Sequence, residues 1–250
     1  MSEHTINIAV HGATGRMGRA IVRALRDDAS FAIAALFDRG ASKRLEHVDV
    51  VIDFSTPEAT AAMARECLRS KTKMVIGTTG LDASAHEAID ALARVAPVIV
   101  APNTSVGVTV LLHLAAEAAR LLGSEFDAEI VEMHHKKKID APSGTALAMA
   151  SQVAKAKGLD ESAFVHGRSG KVGARPAEQI GIVALRGGDV VGDHTLVLAG
   201  PGERIELTHR AHDRSLFALG ALRAARWLSA CETPGRYGMR DVLGVGGSNL

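Results

Sequence analysis

Two segments of this 250-residue sequence hold residue types that could do chemistry. The denser one is Glu129-Ile130-Val131-Glu132-Met133-His134-His135-Lys136-Lys137-Lys138-Ile139-Asp140-Ala141-Pro142-Ser143-Gly144-Thr145-Ala146. Five titratable cations in a row, His134 to Lys138, follow a β-rich stretch, and Pro142-Ser143-Gly144-Thr145 opens an Ala-rich helix. A helix start with small residues offers N–H groups and a partial positive charge to a carboxylate or phosphate. The histidines and lysines beside it can supply both charge and a transferable proton. A substrate with more than one carboxylate suits that combination. The plainer alternative is a solvated charged turn. Metal binding by the histidine pair is disfavoured, because three lysines repel a cation and no cysteine or third nearby histidine completes a site.

The second segment is Gly12-Ala13-Thr14-Gly15-Arg16-Met17-Gly18, directly after an apolar β-rich run. Glycines there let the backbone turn sharply and approach a pyrophosphate, while the following helix presents its N-terminus. The spacing is GxxGxxG rather than GxGxxG, so the context carries the reading: strand before, helix after, and Asp38 closing the next strand. An acid at Asp38 is placed for ribose hydroxyls, and Arg39 beside it for a 2′-phosphate. A turn that only packs helix on strand is the alternative.

Elements that must position these segments follow from periodicity. Ile6–Val10, Phe31–Phe37, 48–54, Lys73–Ile76 and Pro97–Val100 read as strands. Helices are expected over Arg16–Arg26 and 83–95, with another starting at Ser55-Thr56-Pro57-Glu58 through a Ser55/Glu58 capping box. Strands alternating with helices mean right-handed crossovers and a parallel sheet. After Asn103 the rhythm changes to a long helix (Val106–Leu122), a strand (128–133) and the helix near Pro142. Three β-rich stretches follow, 179–185, 190–198 and 204–209, with Gly187-Gly188 and Gly200-Pro201-Gly202 as hairpin turns. A last helix covers 217–228. The expected class is α/β: an N-terminal Rossmann-type parallel-sheet domain plus an α+β domain with a mixed or antiparallel sheet. Residues 1–104 with 217–250 would bind the dinucleotide, and 105–216 would bind substrate and mediate oligomerisation.

Composition narrows the function classes. Lys+Arg number 29 against Asp+Glu 28, 47% of residues are hydrophobic and 23% charged, which excludes disorder as the main state. A net charge of +1 argues against a nucleic-acid binder relying on an overall positive field. Aromatics at 3% argue against base-stacking platforms for single-stranded nucleic acid. Cys67 and Cys231 fit neither a disulfide framework nor a metal spacing. The N-terminus shows no basic stretch before an apolar core, and Val106–Leu122 is interrupted by His113, Glu117 and Arg120, so a cytoplasmic location without membrane or nucleic-acid partners is expected.

Glu129–Ala146 resembles the signature of the 4-hydroxy-tetrahydrodipicolinate (dihydrodipicolinate) reductase family, E-[IV]-x-E-x-H-x-x-x-K-x-D-x-P-S-G-T-A, and matches every fixed position. Gly12–Gly18, Gly77-Thr78-Thr79-Gly80, Ala101-Pro102-Asn103-Thr104-Ser105, Arg186-Gly187-Gly188-Asp189 with Gly192 and His194, and Met239–Leu243 extend the resemblance over nearly the whole chain. The resemblance implies reduction of 4-hydroxy-tetrahydrodipicolinate with loss of water, in diaminopimelate and lysine biosynthesis, using NADH or NADPH. It implies His134 as proton donor and Lys138 as a second acid or electrostatic partner. His135, Ser143, Gly144 and Thr145 would hold substrate carboxylates. Gly12, Ala13, Thr14, Gly15, Arg16, Met17, Asp38 and Arg39 would take the adenosine and phosphates. Gly77, Thr78, Thr79 and Ala101, Pro102, Asn103, Thr104 would line the nicotinamide side. No metal is implied, and a homotetramer is. One departure stands out: only eight residues separate Arg39 from Val48, where many members carry a longer insert with an extra strand, which leaves the choice between NADH and NADPH open. Rival readings are another NAD(P)-dependent small-acid dehydrogenase, or a non-catalytic nucleotide-sensing or nucleic-acid-binding protein. The loop Gly167–Pro176 reads either as a mobile lid or as a plain surface loop.

Overall fold

A computed structural model describes residues 5–38 and 44–245; Arg39, expected at the adenosine pocket, lies outside the described residues. Two compact units emerge, Met1–Val106 with Arg214–Leu250, and Gly107–Asp213, against expected bounds at 104 and 217.

The first unit is a parallel sheet of six strands: β1 (Ile6–His11), β2 (Phe31–Phe37), β3 (Val50–Asp53), β4 (Lys73–Ile76), β5 (Pro97–Val100) and β11 (Gly235–Tyr237). Their order is β11-β5-β4-β3-β1-β2. The chain leaves β1 toward β2 on one side and continues toward β3 on the other, so the crevice at the ends of these strands is a switch point of the kind that binds ligands. Every residue of β3 is buried, as both-face coverage requires. Helices α1 (Arg16–Arg26) and α6 (Ser215–Ala230), with the short α7 (Met239–Leu243), supply Ile21, Leu25, Ala221, Leu228 and Met239 to one face. Helices α2 (Pro57–Ser70) and α3 (Ala83–Ala93) cover the other with Met63, Cys67, Ile89 and Leu92.

Helix α2 corrects one expectation. Its N-cap is Thr56, whose side chain accepts from Ala59 N, with Pro57 in the first turn. Ser55 makes no capping box with Glu58, because its hydroxyl is drawn to Asp53 at 2.6 Å. Strand β11 has no counterpart in the sequence reading, since Gly235-Arg236-Tyr237 is too short to show a period.

The second unit holds β6 (Asp127–His134), β7 (Phe164–His166), β8 (Ile180–Arg186), β9 (Gly192–Gly200) and β10 (Glu203–Ala211) in the order β10-β9-β6-β8-β7. Strands β9 and β10 form the expected antiparallel hairpin. Strands β8 and β9 do not, despite Gly187-Gly188 between them. Strand β6 lies between the two, parallel to β8 and antiparallel to β9, so the sheet is mixed. Helices α4 (Val106–Leu122) and α5 (Gly144–Ala156) cover one face, with Leu111, Ala115, Ala119, Met149 and Val153 on Ile130, Ile182, Leu196 and Leu198. Length and composition would let the segment Val106–Glu125 cross a membrane; in this unit its buried stripe packs on the sheet, and Arg120 pairs with Glu117 on its surface. The opposite sheet face carries exposed Val183 and Leu185. The loop 167–179 is tied to β6 by arginines: Arg168 grips both Glu129 oxygens at 3.0 Å, and Arg175 reaches Glu129 at 2.9 Å and Asp127 at 2.6 Å.

Gly220 lets α6 sit on the chain after β5, since a Cβ there would lie 1.8 Å from the Thr104 carbonyl oxygen. Gly220→Ala is expected to destabilise the protein by about 1–3 kcal/mol, the usual cost of forcing atoms into a packed contact; urea unfolding of the variant against wild type measures it.

Candidate active site

In the first unit, the turn 12–18 leaves β1 and enters α1. Gly12 has φ +81°, and a Cβ there would come within 2.4 Å of the Phe54 carbonyl oxygen; one on Gly18 would meet the Gly12 carbonyl oxygen at 2.1 Å. Only glycine satisfies both contacts. Helices α2, α3 and α5 are capped by Thr56, Asp82 and Ser143, but α1 starts at Gly15 with no side-chain cap and no acid in its first turn. Its leading N–H groups are therefore presented to whatever sits over the turn. Asp38, after β2, accepts from Thr14 N at 3.2 Å and Thr14 Oγ1 at 3.0 Å, which fixes its carboxylate beside the turn. These features fit a dinucleotide with its pyrophosphate over α1 and its ribose near Asp38.

A cavity of about 520 Å³ opens beside this turn. It brings together Arg16, Met17, Gly77, Thr78, Thr79, Pro102, Asn103 and Thr104 from the sequence-based set. It also adds Phe54, Ser55, Ala20, Arg214 and Phe217, which spacing had not marked. Asp38, the start of the glycine turn and the buried Ala101 lie outside its lining. The Phe54 ring covers Gly77 so closely that a Cβ there would meet it at 2.1 Å. A Gly-Thr-Thr run after a strand is a signal for the turn; nothing local announces Phe54 as its wall.

In the second unit, period two along β6 puts Ala128, Ile130, Glu132 and His134 on the helix-covered face. The first two are core residues, and the last two continue the same face where the apolar layer ends. Glu132 is fully buried. Arg186, opposite His134 on β8, forks onto it with Nη1 on Oε2 and Nη2 on Oε1, both at 2.8 Å. His134 Nδ1 meets Oε2 at 2.6 Å, and Ser143 N donates to Oε1 at 3.0 Å. Burial alone would push the Glu132 carboxyl up; the hydrogen bonds and charges of Arg186 and His134, with the Ser143 amide, outweigh it and hold the group below the ordinary glutamate range. An ionised carboxylate only accepts, so His134 Nδ1 carries a proton and its Nε2 is left for chemistry. Space at that atom is kept by Gly192, where a Cβ would lie 2.9 Å from Nε2.

Ser143 caps α5 by accepting from Ala146 N at 3.2 Å, and its Oγ lies 2.9 Å from His194 Nε2. That hydroxyl is thus committed within the unit, while Gly144 and Thr145 head the helix, with open space around the Gly144 Cα. Lys138 binds both Asp140 oxygens at 2.8 Å. His135 donates its backbone N–H to Val190 O at 2.7 Å, which anchors the cationic turn to the start of the β9 segment. Among the described residues no cluster suited to a metal ion exists.

The two halves of the chain match two family models: residues 6–104 match "Dihydrodipicolinate reductase, N-terminus" and residues 107–243 match "Dihydrodipicolinate reductase, C-terminus". The chain belongs to the dihydrodipicolinate reductase family. It is 44% identical over 266 aligned residues to the 4-hydroxy-tetrahydrodipicolinate reductase of Thiobacillus denitrificans, covering 96% of this chain and 99% of that one. The reductase of Magnetococcus marinus is 45% identical over 267 residues, with 96% and 99% covered. Both alignments are longer than the 250-residue chain, so these dihydrodipicolinate reductases carry residues that it lacks. A dipicolinate-bound dihydrodipicolinate reductase from Paenisporosarcina sp. TG-14 shares the fold at a TM-score of 0.76 and 26% identity, over 95% of this chain and 99% of that structure. The chain is therefore an enzyme, a reductase of this family with a Rossmann-type unit for NADH or NADPH.

His194 supplies a pH test of the dihydrodipicolinate reductase site. Burial first, then the charge of His134, push its imidazole down to about 4, with Glu132 opposing. The folded state thus favours neutral His194, so its contribution is complete above pH 6.5 and is lost as pH falls toward 4. Acidification across that window is expected to remove on the order of 2–3 kcal/mol of stability through this group. Urea unfolding at several pH values, with His194→Gln showing a flatter slope than wild type, checks it.

Proposed function

We propose that His134 is the proton donor of the reaction and that the N-terminus of α5 holds a carboxylate of the substrate. The reaction converts 4-hydroxy-tetrahydrodipicolinate, a nicotinamide hydride and a proton into tetrahydrodipicolinate, the oxidised dinucleotide and water, a step of diaminopimelate and lysine biosynthesis. The observation that carries the assignment is the Glu132–His134 contact at 2.6 Å with Arg186 saturating the same carboxylate. That contact orients the ring and keeps the Nδ1 proton in place, so the proton to be transferred is the one on Nε2.

Lys138 acts as second acid or electrostatic partner, after exchanging Asp140 for a substrate carboxylate. Gly144 and Thr145 bind a carboxylate through the helix N-terminus, and His135 adds charge beside them. Ser143 contributes by setting where that helix begins. The capture of dipicolinate by the Paenisporosarcina relative supports a small dicarboxylate as the substrate class. Gly12 to Met17 and Asp38 hold the phosphates and adenosine ribose, and Arg39, outside the described residues, is the candidate for a 2′-phosphate. Gly77, Thr78, Thr79 and Pro102 to Thr104 line the nicotinamide side, with buried Ala101 supporting that turn, and the dinucleotide, when bound, supplies the hydride there.

Assembly and location belong to the same reading. Exposed Val183 and Leu185, on a sheet face that no helix of their own unit covers, support sheet-on-sheet packing in a homotetramer. The location is the cytoplasm, with the dinucleotide pool that the reaction draws on.

Two measurements test these assignments. His134→Gln and Lys138→Ala are each expected to lower turnover by about 10²–10⁴-fold, the range of general-acid contributions; NADH oxidation with freshly generated substrate reads it, and near-normal turnover in folded His134→Gln removes that residue from the role. Light scattering is expected to give four times the 26.1 kDa chain mass, and a monomer's mass would dismiss the tetramer.

A further inference from the structure

Asp53, at the carboxyl end of β3, is fully buried and takes no part in the chemistry described above. Its carboxylate accepts four side-chain hydrogen bonds. His11 Nδ1 and Ser55 Oγ meet Oδ1 at 2.7 and 2.6 Å; Thr60 Oγ1 and Thr78 Oγ1 meet Oδ2 at 2.5 and 2.8 Å. The four partners come from the end of β1, the turn after β3, helix α2 and the turn after β4. Backbone bonds run alongside: Phe54 N to His11 O at 3.1 Å, Gly77 N to Asp53 O at 2.8 Å, and Ser55 N to Thr78 Oγ1 at 2.9 Å. Between them Phe54 puts its carbonyl against Gly12 and its ring against Gly77.

We propose that Asp53, with His11 as its buried partner, is a positioning group for the dinucleotide: it sets the distance between the phosphate turn 12–18 and the nicotinamide-side turn 77–79. These turns belong to separate βα units, and a ligand that spans both needs them in fixed relation. A buried carboxylate is costly unless its lone pairs are filled, so three turns are drawn to one point. The same geometry reassigns Thr78. Its hydroxyl donates to Asp53 and accepts from Ser55 N, so that hydroxyl is committed to the buried network. His11 is 3% exposed and cannot touch a ligand in the cavity, so its effect acts through Asp53.

The inference rests on the reading that these two turns hold the dinucleotide, and the experiment separates the two. NADH binding is followed by fluorescence titration in wild type, Asp53→Asn, His11→Leu, His11→Asn and Thr60→Val, each checked by its melting temperature. Wild type that binds no NADH would sink the cofactor reading itself. With wild type binding, Asp53→Asn and His11→Leu are expected to raise the NADH Kd by roughly 10- to 100-fold. His11→Asn, whose amide can still donate to Asp53, recovers most of the loss, and Thr60→Val shows a smaller rise. The KM for NADH follows Kd, while kcat at saturating NADH and the Kd for dipicolinate move little. Lower melting temperatures with NADH affinity at the wild-type value would reduce the network to a structural role and overturn the inference. Should Asp53→Asn not fold, equal NADH affinities in His11→Asn and His11→Leu would overturn it as well.

Discussion

A carboxylate removed from water must have its lone pairs filled, and in this protein that requirement organises the chemistry of the second unit. Glu132 has no exposure, yet it is held ionised because an arginine fork, a histidine and a backbone amide converge on it. Removing one partner from such a group costs far more than an ordinary hydrogen bond. The topology serves the same demand. Arg186 can reach Glu132 only because β8 lies directly beside β6, and His194 stands across from Glu132 only because β9 lies on the other side. A simple β8–β9 hairpin would have brought Arg186 next to β9 and left Glu132 without its counter-charge.

Much of this was legible from residue types at short range. The glycine turn, the parallel strands of the first unit, α1 and α4 with their spans, and the small-residue start of α5 each follow from local patterns of three to seven residues. The clustering of His134 with Ser143 at one site was legible too, through the long signature that carries both. Where the reading missed, a competing interaction had won. Gly187-Gly188 is a sound turn signal, but a turn does not say which strand comes to lie beside it. The Ser55/Glu58 pattern is a sound capping signal, but Asp53 is a stronger acceptor for the Ser55 hydroxyl than the helix start.

The partners of Asp53 could not be read in the same way. His11 lies 42 residues away in sequence and Thr78 25 residues away, and they meet only once three parallel strands are in order. In the sequence His11 is one of 11 histidines and Asp53 one of two acids inside the apolar run 48–54, both ordinary. Phe54 is hidden for a related reason. Its importance lies in two glycines that have no Cβ where it packs, and that is a property of distant residues rather than of its own neighbourhood.

The central place of β6 has one more consequence. Because side chains alternate across a strand, sliding β6 by a single residue against its neighbours would turn Val131 and Met133 toward the helices and send Glu132 and His134 to the far face. Ladders on both edges, seven matched pairs with β8 and seven with β9, resist that slide. The backbone ladder therefore works as a ruler: it specifies, to the residue, which face of the sheet carries Glu132 and His134, before any side chain has chosen its rotamer.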